Sequence, residues 1–266
     1  MGRVGDVGSR PRVLVGRLNA TERRPRTLIL SGRERFADPW HDMAATSHQL
    51  ALTLSALGEV SIKSTFAGLG LPTDDDDAAP WLADVDLLVL NISGRGVSSD
   101  DDEPAWAAVA SRIADWARAG GRILAVHQTM LAAMSYPELA EVLGGQWVDD
   151  VSGHPPIGPM TLFLKPGVAG LPPEVHAFDE RYCRLSVSPG IDLLGWVFDD
   201  IVPAAIVDQK EKAGWEPQPA PEPQPALWRY EAHGGRSVYC SLGHDVRSYE
   251  SAAHRRVLLR LAERLL

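Results

Sequence analysis

Three short aliphatic runs, spaced by segments of helical periodicity, restrict this chain to one kind of architecture. Thr27–Ser31 (TLILS), Asp86–Ile92 (DLLVLNI) and Arg122–Val126 (RILAV) lack the polar alternation of a half-solvated strand. Such runs are expected inside a sheet, buried on both faces. Between them lie two helical patterns. The first runs from about Ala45 to Leu57, with Leu50, Leu54 and Leu57 on one face and Gly58 placed as a left-handed cap. The second opens at Pro104, repeats Trp106, Val109, Ile113 and Trp116 at helical spacing, and closes at Gly120-Gly121. Glu59–Ser64 alternates as a further strand. Strand alternating with helix predicts a parallel sheet with helices on both faces, and such sheets carry their sites at the carboxyl ends of the strands.

The second half reads differently. A short helical segment after RILAV is broken by Pro137. Strand-like runs then occur at Met160–Leu164, Cys183–Val187, Leu193–Phe198, Ala204–Val207, around Trp228 and at Ser237–Leu242. They predict an antiparallel elaboration that ends in one last core strand. A closing helix over about Glu250 to Leu266 presents Val257, Leu258, Leu261 and Leu265 to the body. Pro217–Pro225 (PQPAPEPQP) reads as an extended internal loop.

With 266 residues and 45% hydrophobic content, one domain over residues 27–266 has enough material for a core. Charge is uneven. Residues 1–26 hold seven arginines against Asp6 and Glu22, a net of +5 that leaves −14 for the rest of a chain of −9. Residues 1–26 are expected to be a disordered basic leader, and the acidic body argues against nucleic acid as a partner. No apolar run approaches the ~20 residues of a membrane-spanning helix, and no secretory signal is evident. Two cysteines, Cys183 and Cys240, are too few for a disulfide framework or a cysteine zinc site, and a reducing cytoplasm is the expected compartment. The acidic runs Asp74–Asp77 and Asp100–Glu103 lack the alternation and central glycine of a calcium loop and read as solvated caps. A homo-oligomer stays open.

The chemistry-bearing candidates are histidines at strand ends. His127 directly follows RILAV, at the junction where many α/β enzymes expose a nucleophile. Neither serine nor cysteine stands there, so a base, a metal ligand or a hydrogen-bonding contact is expected instead. His244 follows the last strand in Ser241-Leu242-Gly243-His244-Asp245, where Asp245 either orients an imidazole or caps the final helix. His154 is held between Gly153 and Pro155-Pro156, and His41 lies in the loop after the first strand. In Phe178-Asp179-Glu180-Arg181-Tyr182, alternation puts Glu180 and Tyr182 on one side, although Glu180 can equally pair with an arginine. His48 falls on a helix. His176, His233 and His254 read as surface or structural residues.

The stretch Gly120–His127 (GGRILAVH), the later Asp179–Tyr182 (DERY) and the C-terminal GGRSVYCSLGHD resemble the trehalose-utilisation, or ThuA-like, family, with HDM near residue 41 and GHPP near residue 154 in the same order. The resemblance covers about residues 27–266. It implies a class I glutamine amidotransferase-like fold, a flavodoxin-like parallel sheet, with a site built around His127, His154, Glu180, Tyr182 and His244. It also implies a place in the catabolism of trehalose or related disaccharides and their keto derivatives. The sequence departs from the family pattern after His127, where Gln128-Thr129-Met130 replace small residues. No cysteine occupies the junction, so glutamine hydrolysis is not expected.

The resulting expectation is an enzyme acting on a small-molecule carbohydrate. Glu180 serves as general acid or base, His127 and His244 as proton carriers or ligands, and His41, His154, Tyr182 and Asp245 contact the substrate. A divalent metal such as zinc fits where His127, His154 and His244 converge near a carboxylate. The alternatives are a non-catalytic sugar-binding or regulatory protein, whose tryptophans stack on sugar rings, and an interaction module using the acidic surface.

Overall fold

The computed structural model describes residues 23–64, 80–96, 103–168, 170–198, 222–232 and 234–266. Residues 1–22, Asp74–Asp77, Asp100–Asp102, Ala204–Val207, residues 217–221 and His233 lie outside them. The elements in chain order are β1 (Arg26–Ser31), α1 (Met43–Leu54), β2 (Glu59–Ser64), β3 (Leu87–Asn91), α2 (Glu103–Arg118), β4 (Arg122–Val126), α3 (Thr129–Ser135) and α4 (Pro137–Leu143). They continue with β5 (Gly145–Gln146), β6 (Gly158–Leu164), β7 (Glu174–Asp179), β8 (Ser186–Val187), β9 (Asp192–Phe198), β10 (Pro223–Ala232), β11 (Gly235–Cys240) and α5 (Ala252–Leu265).

Nine of these strands form one sheet in the order β2-β1-β3-β4-β11-β10-β9-β6-β7. The first five are mutually parallel, and from β11 onward every pairing is antiparallel. The parallel half has the flavodoxin-like order with β11 as its fifth strand, so the expected α/β architecture with an antiparallel elaboration is the one observed. β3 sits mid-sheet with every residue buried, as its unbroken aliphatic run requires. Each such buried side chain contributes about 1.5–3 kcal/mol.

One face of the sheet packs Leu50 and Leu54 of α1 and Val257, Leu258, Leu261 and Leu265 of α5. The other packs Trp106, Val109 and Ile113 of α2 and Leu139 and Leu143 of α4. Trp228 of β10 lies in that second layer, its ring tilted against Tyr239 at 4.3 Å between centroids, and its indole N–H donates to the Leu143 carbonyl at 2.8 Å.

Several expectations are corrected. Gly58 does not cap α1 in a left-handed conformation: the helix ends at Leu54, and Gly58 is absent from the positive-φ residues. A Cβ on Gly58 would stand 2.1 Å from the Pro25 carbonyl oxygen, so close backbone approach is what demands glycine. Cys183–Val187 is not one strand. Cys183 forms an isolated bridge to Gly153, and Ser186–Val187 pairs with β5 in a separate ribbon. The proline-rich segment is strand from Pro223, paired with β9. Residues 23–26 belong to the fold rather than to the leader: Arg26 begins β1, and the Arg23 guanidinium reaches Asp86 at 2.9 Å. β7 was not anticipated. It packs against α5 and the short turn at Val246–Glu250, which brings the far edge of the sheet round to the carboxyl end of β11.

Candidate functional site

Four chain segments meet at the carboxyl ends of the strands. His127 follows β4 directly and takes φ +36°, an unusual left-handed value for a non-glycine residue. β11 over-determines that conformation. The His127 N–H donates to the Cys240 carbonyl at 2.8 Å, its carbonyl accepts from the Tyr239 hydroxyl at 3.0 Å, and its ring Nδ1 lies 2.6 Å from the Ser241 carbonyl. A carbonyl only accepts, so Nδ1 carries the proton and Nε2 presents a lone pair. That Nε2 is buried, has no hydrogen-bond partner, and lies 3.4 Å from Glu180 Oε2.

His41 is set by Asp38 in the loop after β1. Asp38 Oδ1 accepts the N–H groups of Trp40 and His41 at 2.9 Å each, and the carboxylate holds His41 Nδ1 at 2.7 Å. His41 Nε2 is likewise buried without a partner. Despite burial, which acts the other way, the His41 contacts hold the Asp38 carboxyl below its usual range.

Glu180 and His244 are joined through Asp179, the last residue of β7. Asp179 Oδ2 accepts from the Gly243 N–H at 2.8 Å, and Oδ1 accepts from Glu180 N–H at 2.8 Å and His244 N–H at 3.2 Å. Burial raises Asp179 to about 6 against these hydrogen bonds. His244 Nδ1 sits 3.0 Å from Glu180 Oε2 without hydrogen-bond alignment. His154 enters through the Gly153–Cys183 bridge. Its Nδ1 lies 3.1 Å from the Pro155 carbonyl and 3.5 Å from Glu180 Oε1.

Burial alone would raise Glu180, but the imidazoles facing it, His244 and His154 among them, outweigh it and hold the carboxyl well below the ordinary range. Burial pushes His127 down to about 4, so at neutral pH it is an uncharged imidazole and not a proton donor. His244 moves the other way: burial lowers it, and Glu180 more than restores it.

One potential ligating atom from each of His41, His127, Glu180 and His244 lies within 4.8 Å of all the others. The ligand set expected from sequence is therefore rearranged. His154 stands outside this group, its ring partly exposed, while His41 stands inside it because Asp38 turns its Nε2 inward. Asp245 does not line the cavity. It caps the turn after His244, accepting from Arg247 N–H at 2.8 Å and pairing with the Arg247 guanidinium. Above the cluster opens a cavity of about 420 Å³, lined by His41, His154, Glu180, Tyr182 and His244 together with Trp40, Arg95, Leu131 and Trp147. Glu180 and Tyr182 do face one side, and the Tyr182 ring lies over His127 at 4.0 Å between centroids.

The sequence matches a family described as trehalose utilisation over residues 41–262, a span that holds every one of these site histidines. The chain belongs to the ThuA family. Two solved structures are similar. A ThuA-like protein from Parabacteroides merdae ATCC 43184 has 18% identity and a TM-score of 0.63, covering 91% of this chain and 89% of its own. Another, from Bacteroides uniformis ATCC 8492, has 14% identity and a TM-score of 0.62, covering 92% and 93%. A cold-adapted β-galactosidase from Rahnella sp. R3 contains a similar fold, at 15% identity and a TM-score of 0.52, over 92% of this chain and 32% of the enzyme. At such identities these likenesses show the fold alone. Comparison with curated proteins gives no match.

In this ThuA protein the departure after His127 is internal. Gln128, Thr129 and Met130 are fully buried, and none lines the cavity. Gln128 donates its amide to Asn91 Oδ1, and Thr129 donates to the Leu90 carbonyl at 2.8 Å. Asn91 Nδ2 in turn donates to the Met43 carbonyl and to Thr46 and Ser47 of α1. The start of α1, which carries the His41 loop, is thus tied to the turn that carries His127. Sequence reasoning missed Asp38, Asn91 and Asp179, which position the histidines. For Asn91 the available signal was its placement at the end of β3. His48 lies exposed on α1; His176 is exposed and His254 is buried against Ser248, as expected of surface and structural residues. Among the described residues, no helix is long and apolar enough to cross a membrane.

Proposed function

We propose that this protein is an enzyme of carbohydrate catabolism that acts on trehalose, a related disaccharide or its keto derivative at the His41–His127–Glu180–His244 cluster. One observation carries the reading. Three imidazoles and a carboxylate from four separate strand ends converge beside a cavity large enough for a small sugar, His41, Glu180 and His244 lining it and His127 buried next to them. The family description supplies the substrate class. Trp40, Trp147 and Tyr182 offer ring faces for sugar carbons, and His154 and Arg95 offer polar groups for hydroxyls. Glutamine amidotransfer is not proposed, because His127 stands where that chemistry would need a nucleophile. We place the enzyme in the cytoplasm, in keeping with two buried cysteines that form no disulfide among the described residues.

The aromatic walls also suit a non-catalytic sugar-binding protein, and one experiment separates the two. Disaccharides and their 3-keto forms are screened for turnover and, by calorimetry, for binding, with the native chain and with His127→Ala. The enzyme reading expects turnover that collapses in the variant while binding largely survives. Binding by the native chain with no turnover of any sugar in the panel would leave the binding-protein reading standing instead.

A further inference from the structure

We propose that His41, His127, His244 and Glu180 ligate a single divalent first-row transition ion, zinc in the simplest case, with Asp38 and the Ser241 carbonyl fixing which imidazole nitrogens face it. This rests on the reading of the cluster as the working centre, but neither the argument nor its test needs a sugar.

The first argument is the commitment of the rings. His127 spends its Nδ1 proton on the Ser241 carbonyl at 2.6 Å, and His41 spends its own on Asp38 at 2.7 Å. Both Nε2 atoms then face inward as lone pairs. Their side chains are 0% and 4% exposed, and neither atom has a hydrogen-bond partner. Two buried acceptors left without a donor would each be costly in a folded protein. A cation satisfies both at once. An imidazole donating its outer N–H to a carboxylate or a backbone carbonyl is the usual support of a metal-bound histidine.

The second argument is the company these atoms keep. Glu180 brings an ionised carboxylate to the same point, and His244 Nδ1 approaches it at 3.0 Å without the alignment of a hydrogen bond. A contact that is close but misaligned is what remains between two groups aimed at a third. Two ligands of one tetrahedral ion, each ~2.1 Å from it, are ~3.4 Å apart. From the observed limit of 4.8 Å the widest pair closes by about 1.4 Å, shared between two side chains. The donor set selects the metal class. Three imidazoles with one carboxylate suit zinc, manganese or iron, whereas magnesium and calcium prefer oxygen. The cavity side of the cluster, towards His154 and Tyr182, is where an open coordination position would meet a sugar oxygen. A bound ion would supply Lewis acidity there. His154 is thereby assigned to substrate and not to the metal.

The test is metal content by mass spectrometry after purification without chelators or an affinity tag, together with zinc titration of the stripped full-length protein by calorimetry. We expect one equivalent per chain. His127→Ala and Glu180→Gln should lose most of it. Asp38→Asn should weaken zinc affinity about tenfold to hundredfold, as loss of a supporting hydrogen bond does. His154→Ala should keep a full equivalent. Absence of stoichiometric zinc, manganese or iron binding by the native chain would overturn the proposal, without need of any variant that fails to fold. So would His154→Ala losing as much metal as His127→Ala. If metal binds as described and no carbohydrate is turned over, the metal site stands and the carbohydrate reading falls.

Discussion

The Asp179 carboxylate accepts the backbone N–H of Gly243 at 2.8 Å, tying the last strand at one edge of the sheet to the turn that follows β11. Through this contact, and those to Glu180 and His244, one buried side chain sets the spacing of two site residues that lie 64 positions apart. Replacing it by asparagine puts an amide N–H against at least one of three backbone donors. Asp179→Asn is expected to destabilise the fold by about 2 kcal/mol, measured by urea denaturation. Turnover of any sugar substrate should fall on the order of a hundredfold as Glu180 and His244 drift apart. Native stability in this variant would show that the carboxylate does not organise the turn.

Gly243 itself holds φ +136°, and a Cβ there would lie 3.0 Å from the Tyr249 hydroxyl and 3.5 Å from His127 Cβ. Gly243→Ala is expected to destabilise by more than about 1 kcal/mol, because backbone strain adds to the crowding. The ring resonances of His127 and His244 should shift together in a histidine-detected NMR spectrum. An unshifted spectrum at native melting temperature would contradict this account of the turn.

Acid sensitivity should trace in part to His254, which does not line the cavity. It is fully buried, with Nδ1 3.0 Å from the Ser248 carbonyl, and burial lowers it to about 4. Between that value and the ~6.5 of an unfolded histidine, the unfolded chain binds the extra proton. Stability therefore falls as pH drops through this window and is fully present above it. The contribution is at most about 3 kcal/mol. His254→Gln should flatten this part of the stability–pH curve. A curve of unchanged slope from pH 7 to 4 would sink the assignment.

Trp40 is 64% exposed at the cavity mouth, so little of its area supports the fold. Trp40→Ala is expected to leave the melting temperature unchanged and to raise KM or Kd for the sugar about tenfold, the worth of one lost ring face. A change in kcat alone would place Trp40 in the chemistry rather than in recognition.

Much of the fold was legible because β1, β3 and β4 are aliphatic runs whose burial on both faces leaves no other role. The helices were legible because α2 and α5 repeat apolar residues at helical spacing. β7 was not, since Glu174–Asp179 mixes exposed and buried positions without strict alternation. The split of Cys183–Val187 was hidden because its pairing partner, Gly153, is chosen by tertiary packing. At the site, strand-end placement picked out His127 and His244, and alternation with Tyr182 picked out Glu180. The exchange of His41 for His154 was illegible because it depends on Asp38 rotating one ring inward, which spacing does not encode. Asp179 gave no local sign, since β7 itself was not legible and its acceptor atoms serve backbone N–H groups, two of them far along the chain; Asn91 showed only its place at the end of β3.

The cluster draws on residues 41, 127, 180 and 244, and the last of these follows the strand that completes the parallel half of the sheet. A chain emerging during synthesis holds three of the four long before the fourth exists. It has no place to seat that fourth until β11 slides between β4 and β10. A partly made chain therefore cannot assemble the four-residue cluster, which is complete only once β11 is in place.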